Sequence, residues 1–313
     1  MKKCFILASV FIFSLAFALS APAGEIKIGT LLSHTGPLKE FGPNLQNGVM
    51  LAAKQMKAAG FEVDLVHEDS ETSAIPATNA AKKLVEVHNV VAIIGALSSG
   101  VTIPVAESVT IPAGVIQISP ASTSPLITVL PTDKGRDFLF RTCPSDALQS
   151  VIAGKLAASY NKTAAVLYVN NPYGQGLAEG FKKSFEKMGG KVLAMVPHDE
   201  KAAESYNAEL KKALAGNPDR LAAFSYPEHA KIYLKESLEF FKFRNFLFCD
   251  GTKSQDIVKA LGVKAVANQM GTAPGSAGGD PFVIFSADYK GEYGTLPPLP
   301  FITNSYDGAA VVG

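Results

Sequence analysis

The sequence contains no tryptophan, three cysteines in 313 residues, and no excess of either charge, with 29 basic and 28 acidic side chains. Each scarcity excludes something. Without a basic run or an arginine-rich helix there is no electrostatic footprint for nucleic acid. The histidines (His34, His67, His88, His198, His229) have no i, i+4 partners and no cysteine cluster beside them, so no metal site is expected. A serine hydrolase of the G-x-S-x-G kind is excluded, because Ala96 and Leu97 stand two residues before Ser98 and Ser99. Gly251-Thr252-Lys253-Ser254 lacks the first glycine of a phosphate loop. Nor does G-x-G-x-x-G follow the first strand, where Gly29-Thr30-Leu31-Leu32 leads into Ser33-His34-Thr35-Gly36. The one acidic clump with a histidine, Val66 to Glu71, reads as strand-end carboxylates in a loop. No catalytic residue, no cofactor and no metal is assigned, and the chain is not expected to be an enzyme.

Apolar runs are also too short for a membrane span. The longest, Phe5 to Leu19, falls short of the roughly 20 residues a bilayer requires. Preceded by Lys2 and Lys3 and followed by Ala21-Pro22-Ala23, it has the layout of a secretory signal peptide over residues 1–23, with cleavage predicted before Gly24. Cys4 precedes the apolar core, the wrong side for a lipid-bearing cysteine. The expected destination is the periplasm. Without Lys2 and Lys3, 27 basic residues face 28 acidic ones. Two cysteines remain, Cys143 and Cys249. A bridge between them would close a loop worth about 4 to 5 kcal/mol in the chain-entropy account, whereas buried free thiols are the ordinary state of small apolar cysteines.

What is present is a chain of 47% hydrophobic and 18% charged residues, enough for two cores. From Glu25, short β-rich runs alternate with helical ones: EIKIGTLL, a helix near 43–59, FEVDLVHE, a helix near 77–88, strand 90–95, a helix to about 108, strand 114–119. After a loop rich in Ser, Thr and Pro the rhythm restarts at DFLFRT and runs to strand 245–249. Alternating strands and helices predict an α/β fold of two doubly wound parallel-sheet lobes joined by a hinge. The expected division is 24–142 plus 273–313 for the N-terminal lobe and 143–272 for the C-terminal lobe. Met270 to Gly279 reads as a Gly-rich linker, and a last helical pattern begins near Phe301 and breaks off at Gly313, as a truncated chain would.

Two Ser/Thr-rich turns carry the chemistry. IIGALSSG (93–100) and VIQISPASTSP (115–125) each follow an apolar run at one sheet edge, where hydroxyls and free backbone N–H groups can receive a small anion. Taken alone, Ser98 reads equally as a helix cap.

Together with IKIGTLLSHTGPLKEFG, FRTCPSDALQ, YGQGLAEGFK and FCDGTKS, these turns make the sequence resemble the leucine/isoleucine/valine-binding family of type I periplasmic solute-binding proteins, from Ile26 onward. The resemblance implies an ABC importer subunit that closes two lobes on an amino acid, of the branched-chain or another apolar kind. It implies that Ser99 and Thr123 hold the ligand's α-carboxylate. The Ala121 carbonyl and Asp250 would take its α-ammonium, and Tyr173 and Tyr226 would close from the second domain. Phe41 and Phe301 would wall the side-chain pocket. Relatives often carry Glu where Asp250 stands, and Asp250 reads equally as the cap of a helix over 253–261. The implied partners are a small-molecule amino acid and an ABC permease complex in the inner membrane, with no nucleic acid and a monomeric state. Two other classes fit the same features: a sensor subunit binding a small amide or urea, and, with less support, a hydrolase.

Overall fold

The computed structural model describes residues 25–275 and 278–312. The signal-peptide reading lies outside them. The first lobe is built on five parallel strands: β1 (Ile26–Leu32), β2 (Val63–Asp69), β3 (Ala92–Gly95), β4 (Ile116–Ser119) and β5 (Leu139–Arg141), in the order β2-β1-β3-β4-β5. The second repeats the arrangement with β6 (Thr163–Val169), β7 (Lys191–His198), β8 (Arg220–Phe224), β9 (Phe246–Phe248) and β10 (Met270–Gly271), in the order β10-β9-β8-β6-β7. Helices cover both faces, so the central strands Ala-Ile-Ile-Gly (β3) and Arg-Leu-Ala-Ala-Phe (β8) are buried along their whole length.

Helix α1 (Phe41–Ala58) buries Phe41, Leu45, Val49, Ala52 and Met56 on one stripe, the spacing of an amphipathic helix. Gly48 on that stripe admits a close neighbour: a Cβ there would stand 2.7 Å from the Ile302 carbonyl. The neighbour is the last helix, over Ile302–Ala310, whose Ser305 hydroxyl donates to the Leu45 carbonyl at 2.8 Å. The chain thus returns to the first lobe after building the second sheet. Asn304 and Thr142 exchange two hydrogen bonds of 2.7 Å where this helix meets the segment leaving β5.

The stretch 270–279, expected as linker, is only partly that. Met270–Gly271 pairs with β9 as an edge strand, and a helix that the sequence pattern did not reveal runs over Gly279–Tyr293. It buries just Phe285 and Tyr289, and the Tyr289 hydroxyl donates to the Asn44 carbonyl at 3.1 Å.

Cys143 and Cys249 are free and buried, and burial pushes both thiols up to about 12, so neither is a reactive thiolate. The acidic clump at the end of β2 is a turn clasp. Although burial opposes it, hydrogen bonds from the Glu71 N–H, Thr35 and the His34 N–H hold the Asp69 carboxyl below its usual value. His67 Nδ1 lies 2.8 Å from the Thr30 hydroxyl and 2.9 Å from the Gln46 amide. Among the described residues no helix is long and apolar enough to cross a membrane, and no group of metal-binding side chains gathers.

Candidate functional site

The turn after β3 places Ser98 as N-cap of the helix α2 (Ser99–Val105), with the Gly100 N–H donating to its hydroxyl at 3.1 Å. Ser99 is buried, and its hydroxyl oxygen accepts the Ser124 N–H at 3.2 Å, tying the two turns together. In the second turn Ser122 and Thr102 pair at 2.7 Å, and the Thr123 hydroxyl donates to Asp146 Oδ2 at 2.6 Å.

From the second lobe come Asn171, capping the helix Pro172–Lys187 through bonds of 3.1 Å from the Tyr173 and Gly174 N–H groups, and Tyr226 at the head of the helix Pro227–Glu236. The rings of Tyr173 and Tyr226 stack with centroids 5.5 Å apart. Gly251 lets the Tyr173 hydroxyl approach its N–H at 3.2 Å, where a Cβ would stand 2.6 Å from the Ser225 carbonyl.

These elements enclose a cavity of about 20 Å³ between the lobes, lined by Leu38, Phe41, Leu97, Ala121, Tyr173, Tyr226, Asp250, Gly251 and Phe301. It has room for about one water. An amino acid enters only if the lobes part or the walls turn. No lysine or arginine lines it. The Arg141 guanidinium is spent on the carbonyls of Thr123 and Ser124 at 3.2 and 2.7 Å.

Asp250 is the acidic residue of the wall, and a second buried carboxyl, Asp146, lies near it. Asp250 is 2% exposed, and its Oδ1 accepts from Gln149 at 2.7 Å and from the Tyr173 hydroxyl at 3.0 Å. Asp146 is fully buried, with Oδ1 left without a partner, as are Gln149 Oε1 and Thr272 Oγ1. Burial raises both carboxyls above the usual range, and for Asp146 the charge of Asp250 adds to it. Such a pair favours an incoming cation.

On the other flank, the Glu200 carboxylate receives the Ser98 hydroxyl at 2.7 Å and the Asn171 amide at 2.6 Å, while Tyr226 and Ser98 hydroxyls meet at 3.0 Å. Burial raises the Glu200 carboxyl despite these bonds.

Of the residues singled out in the sequence, Phe41, Ala121, Tyr173, Tyr226, Asp250 and Phe301 converge on the cavity wall. Ser99 and Thr123 lie buried behind it, the Ser99 hydroxyl oxygen accepting from Ser124 and the Thr123 hydroxyl donating to Asp146. Ser98 rather than Ser99 reaches across to the second lobe. Asp250 caps no helix over 253–261: it opens a short 3-10 turn, and the following helix Gln255–Leu261 is capped by Ser254, which accepts the Ile257 N–H at 3.2 Å. Sequence reading missed Asp146, Gln149, Asn171 and Glu200. Only the first two carried a signal, as an i, i+3 pair in FRTCPSDALQ.

A family model described as periplasmic binding protein matches residues 25–313. The Leu/Ile/Val-binding protein homolog 1 of Brucella abortus is 30% identical over 270 residues, covering 83% of this chain and 70% of that protein. The leucine binding protein LivK of Thermotoga maritima superposes with a TM-score of 0.82 at 26% identity, over 92% of this chain and 81% of the other. A solute binding protein of an ABC transporter from Rhodopseudomonas palustris, solved with 3,4-dihydroxybenzoic acid, has a TM-score of 0.72 at 21% identity, covering 92% and 79%, a likeness of fold alone.

Proposed function

The chain belongs to the periplasmic binding protein family, and from that premise we propose that it is the solute-binding subunit of an ABC importer that captures an apolar, branched-chain-like amino acid between two closing lobes. The observation that carries this reading is buried Asp250 on the wall of a cavity otherwise lined by apolar residues, two tyrosines and a glycine, with no basic side chain, and with a second buried carboxyl, Asp146, near enough for the two charges to oppose each other. An α-ammonium brings the positive charge that favours ionising such a pair; a ligand that is only an anion, such as an aromatic acid, adds negative charge beside carboxyls whose ionisation burial already disfavours, with no counter-ion on the wall. Leu38, Phe41, Leu97 and Phe301 then receive a hydrocarbon side chain. For the α-carboxylate, Ser99 keeps its own O–H free to donate after accepting the Ser124 N–H.

The hinge lies where the chain passes between lobes, near 142–143 and 272–273, and opening admits the ligand. Residues 1–23 act as a cleaved signal peptide, the mature chain works as a monomer in the periplasm, and an inner-membrane permease receives the cargo. The names of the relatives above, Leu/Ile/Val-binding and leucine binding, support the amino-acid class. A thermal-shift screen of the twenty amino acids, small amides, urea and aromatic acids tests it, since a ligand of the folded state raises Tm. Apolar amino acids should give the largest shifts. A response confined to amides or aromatic acids overturns the reading.

A further inference from the structure

Each lobe extends one carboxylate into hydrogen-bond donors of the other. Glu40, at the entry to α1 in the first lobe, accepts from the Ser254 hydroxyl and from the N–H groups of Gln255 and Asp256, the latter two at 2.9 and 3.3 Å. Glu200, after β7 in the second lobe, accepts from Ser98 of the first at 2.7 Å. Its own backbone carbonyl is held by His229 Nε2 at 2.9 Å, and Asn171, from its own lobe, steadies the carboxylate at 2.6 Å. Both grips adjoin the cavity wall in sequence: Glu40 precedes Phe41, and Ser98 follows Leu97. A lesser contact, Lys39 to Glu228 at 3.3 Å, lies beside them and is largely solvent-exposed on the lysine side.

We infer that Glu40 and Glu200 form a reciprocal clasp, each lobe gripping the other through one carboxylate, which stabilises the closed state and sets how long cargo is held. None of these donors belongs to the ligand, so the clasp forms on closure whatever side chain lies inside. It uses the hinged-lobe reading above but not the identity of the ligand. Parting the lobes strips both carboxylates of their cross-lobe donors, so the grips weigh on opening and release, whereas encounter with the open form is untouched.

The experiment uses the full chain in two measurements. Small-angle scattering without ligand compares the wild type with Glu40→Ala, Glu200→Ala and the double variant; the double variant should have the larger radius of gyration. Stopped-flow leucine dissociation should then quicken by about tenfold for each single change and by about a hundredfold for both, with association within about threefold of wild type. Should an alanine variant fail to fold, Ser98→Ala replaces the Glu200 change and Glu40→Gln, which keeps an oxygen acceptor but no charge, replaces the other. Equal radii of gyration for wild type and double variant overturn the clasp, as does a loss of affinity carried by association alone. If leucine and every other amino acid fail to bind the wild type, the proposed cargo is wrong, and the scattering comparison still decides the clasp.

Discussion

The two lobes share one strand order and differ in what fills it. The core of the first is aliphatic, with Ile28, Val49, Ile94 and Ile118 in one cluster and Leu31, Leu84 and Ile93 in another. The second packs Tyr206, Tyr233 and Phe246 beside two buried imidazoles, His198 and His229, whose rings lie 4.6 Å apart. Burial lowers His198 to about 4 and, with the neighbouring His198 adding to it, His229 to about 3. Topology therefore does not dictate chemistry. The first lobe offers the cavity an apolar wall and hydroxyl-bearing turns; the second offers Asp250 and two tyrosine rings, and its packing depends on groups that titrate.

The largest expected effect is on stability in acid. Both histidines have folded values below the ordinary 6.5, so the unfolded chain binds more protons below that pH. Their contribution is complete above 6.5 and is lost as pH falls toward 4 and then 3. Raised carboxyls such as Asp250 and Glu200 work the other way, since burial makes their protonation favour the folded state. The histidine part is isolated by His229→Gln, which can still donate to the Glu200 carbonyl and does not titrate. Between pH 6.5 and 4 it should lose several kcal/mol less stability than wild type, because each tenfold difference in proton affinity between folded and unfolded chain is worth about 1.4 kcal/mol. Hydrogen exchange resolved by lobe should show the second lobe as the site of the difference. Parallel pH profiles for the two proteins, or a difference located in the first lobe, would break the contrast.

Next is Asp250→Asn, which removes the second lobe's charge from the cavity at nearly constant volume. Stranding a buried ammonium costs about 2 to 5 kcal/mol, so calorimetry should show amino-acid affinity falling about thirtyfold or more. A neutral amide or urea should be nearly indifferent, and undiminished amino-acid binding would remove Asp250 from the site. On the first lobe's side, Phe41→Ala should weaken a leucine-like ligand by about 1 to 3 kcal/mol and leave glycine almost unchanged; equal losses would make Phe41 a packing residue only. The smallest effect belongs to Ser99→Ala. Loss of one hydroxyl should cost about 1 kcal/mol for a carboxylate-bearing ligand and nothing for the corresponding amine, a difference that titration of both compounds resolves.

Much of the fold was legible because parallel strands are short, apolar and bounded by helices of regular spacing; α1, expected near 43–59, runs over Phe41–Ala58. The helix Gly279–Tyr293 escaped notice because its apolar residues do not keep to one stripe: Val283 and Ile284 are 65% and 62% exposed, and only Phe285 and Tyr289 are buried. Wall residues at strand ends could be found from the turns and the resemblance. Glu200 could not, because its partner Ser98 lies 102 residues away and only the closed lobes bring the two together. A glutamate in a polar loop after a strand is, by local pattern, indistinguishable from a solvated one.

The stacked Tyr173 and Tyr226 rings have a practical consequence, given a sequence with nine tyrosines and no tryptophan. Excited at wavelengths too long for phenylalanine to absorb, this protein emits from phenol side chains, and two of the emitters wall the cavity. A guest that slides between or against them alters their mutual exciton coupling and quenching, so occupancy can be followed optically with no label attached. One tryptophan introduced on the outer face of either lobe would be spectrally alone, and the part of the energy passing to it from tyrosines of the opposite lobe would report separation of the lobes in real time.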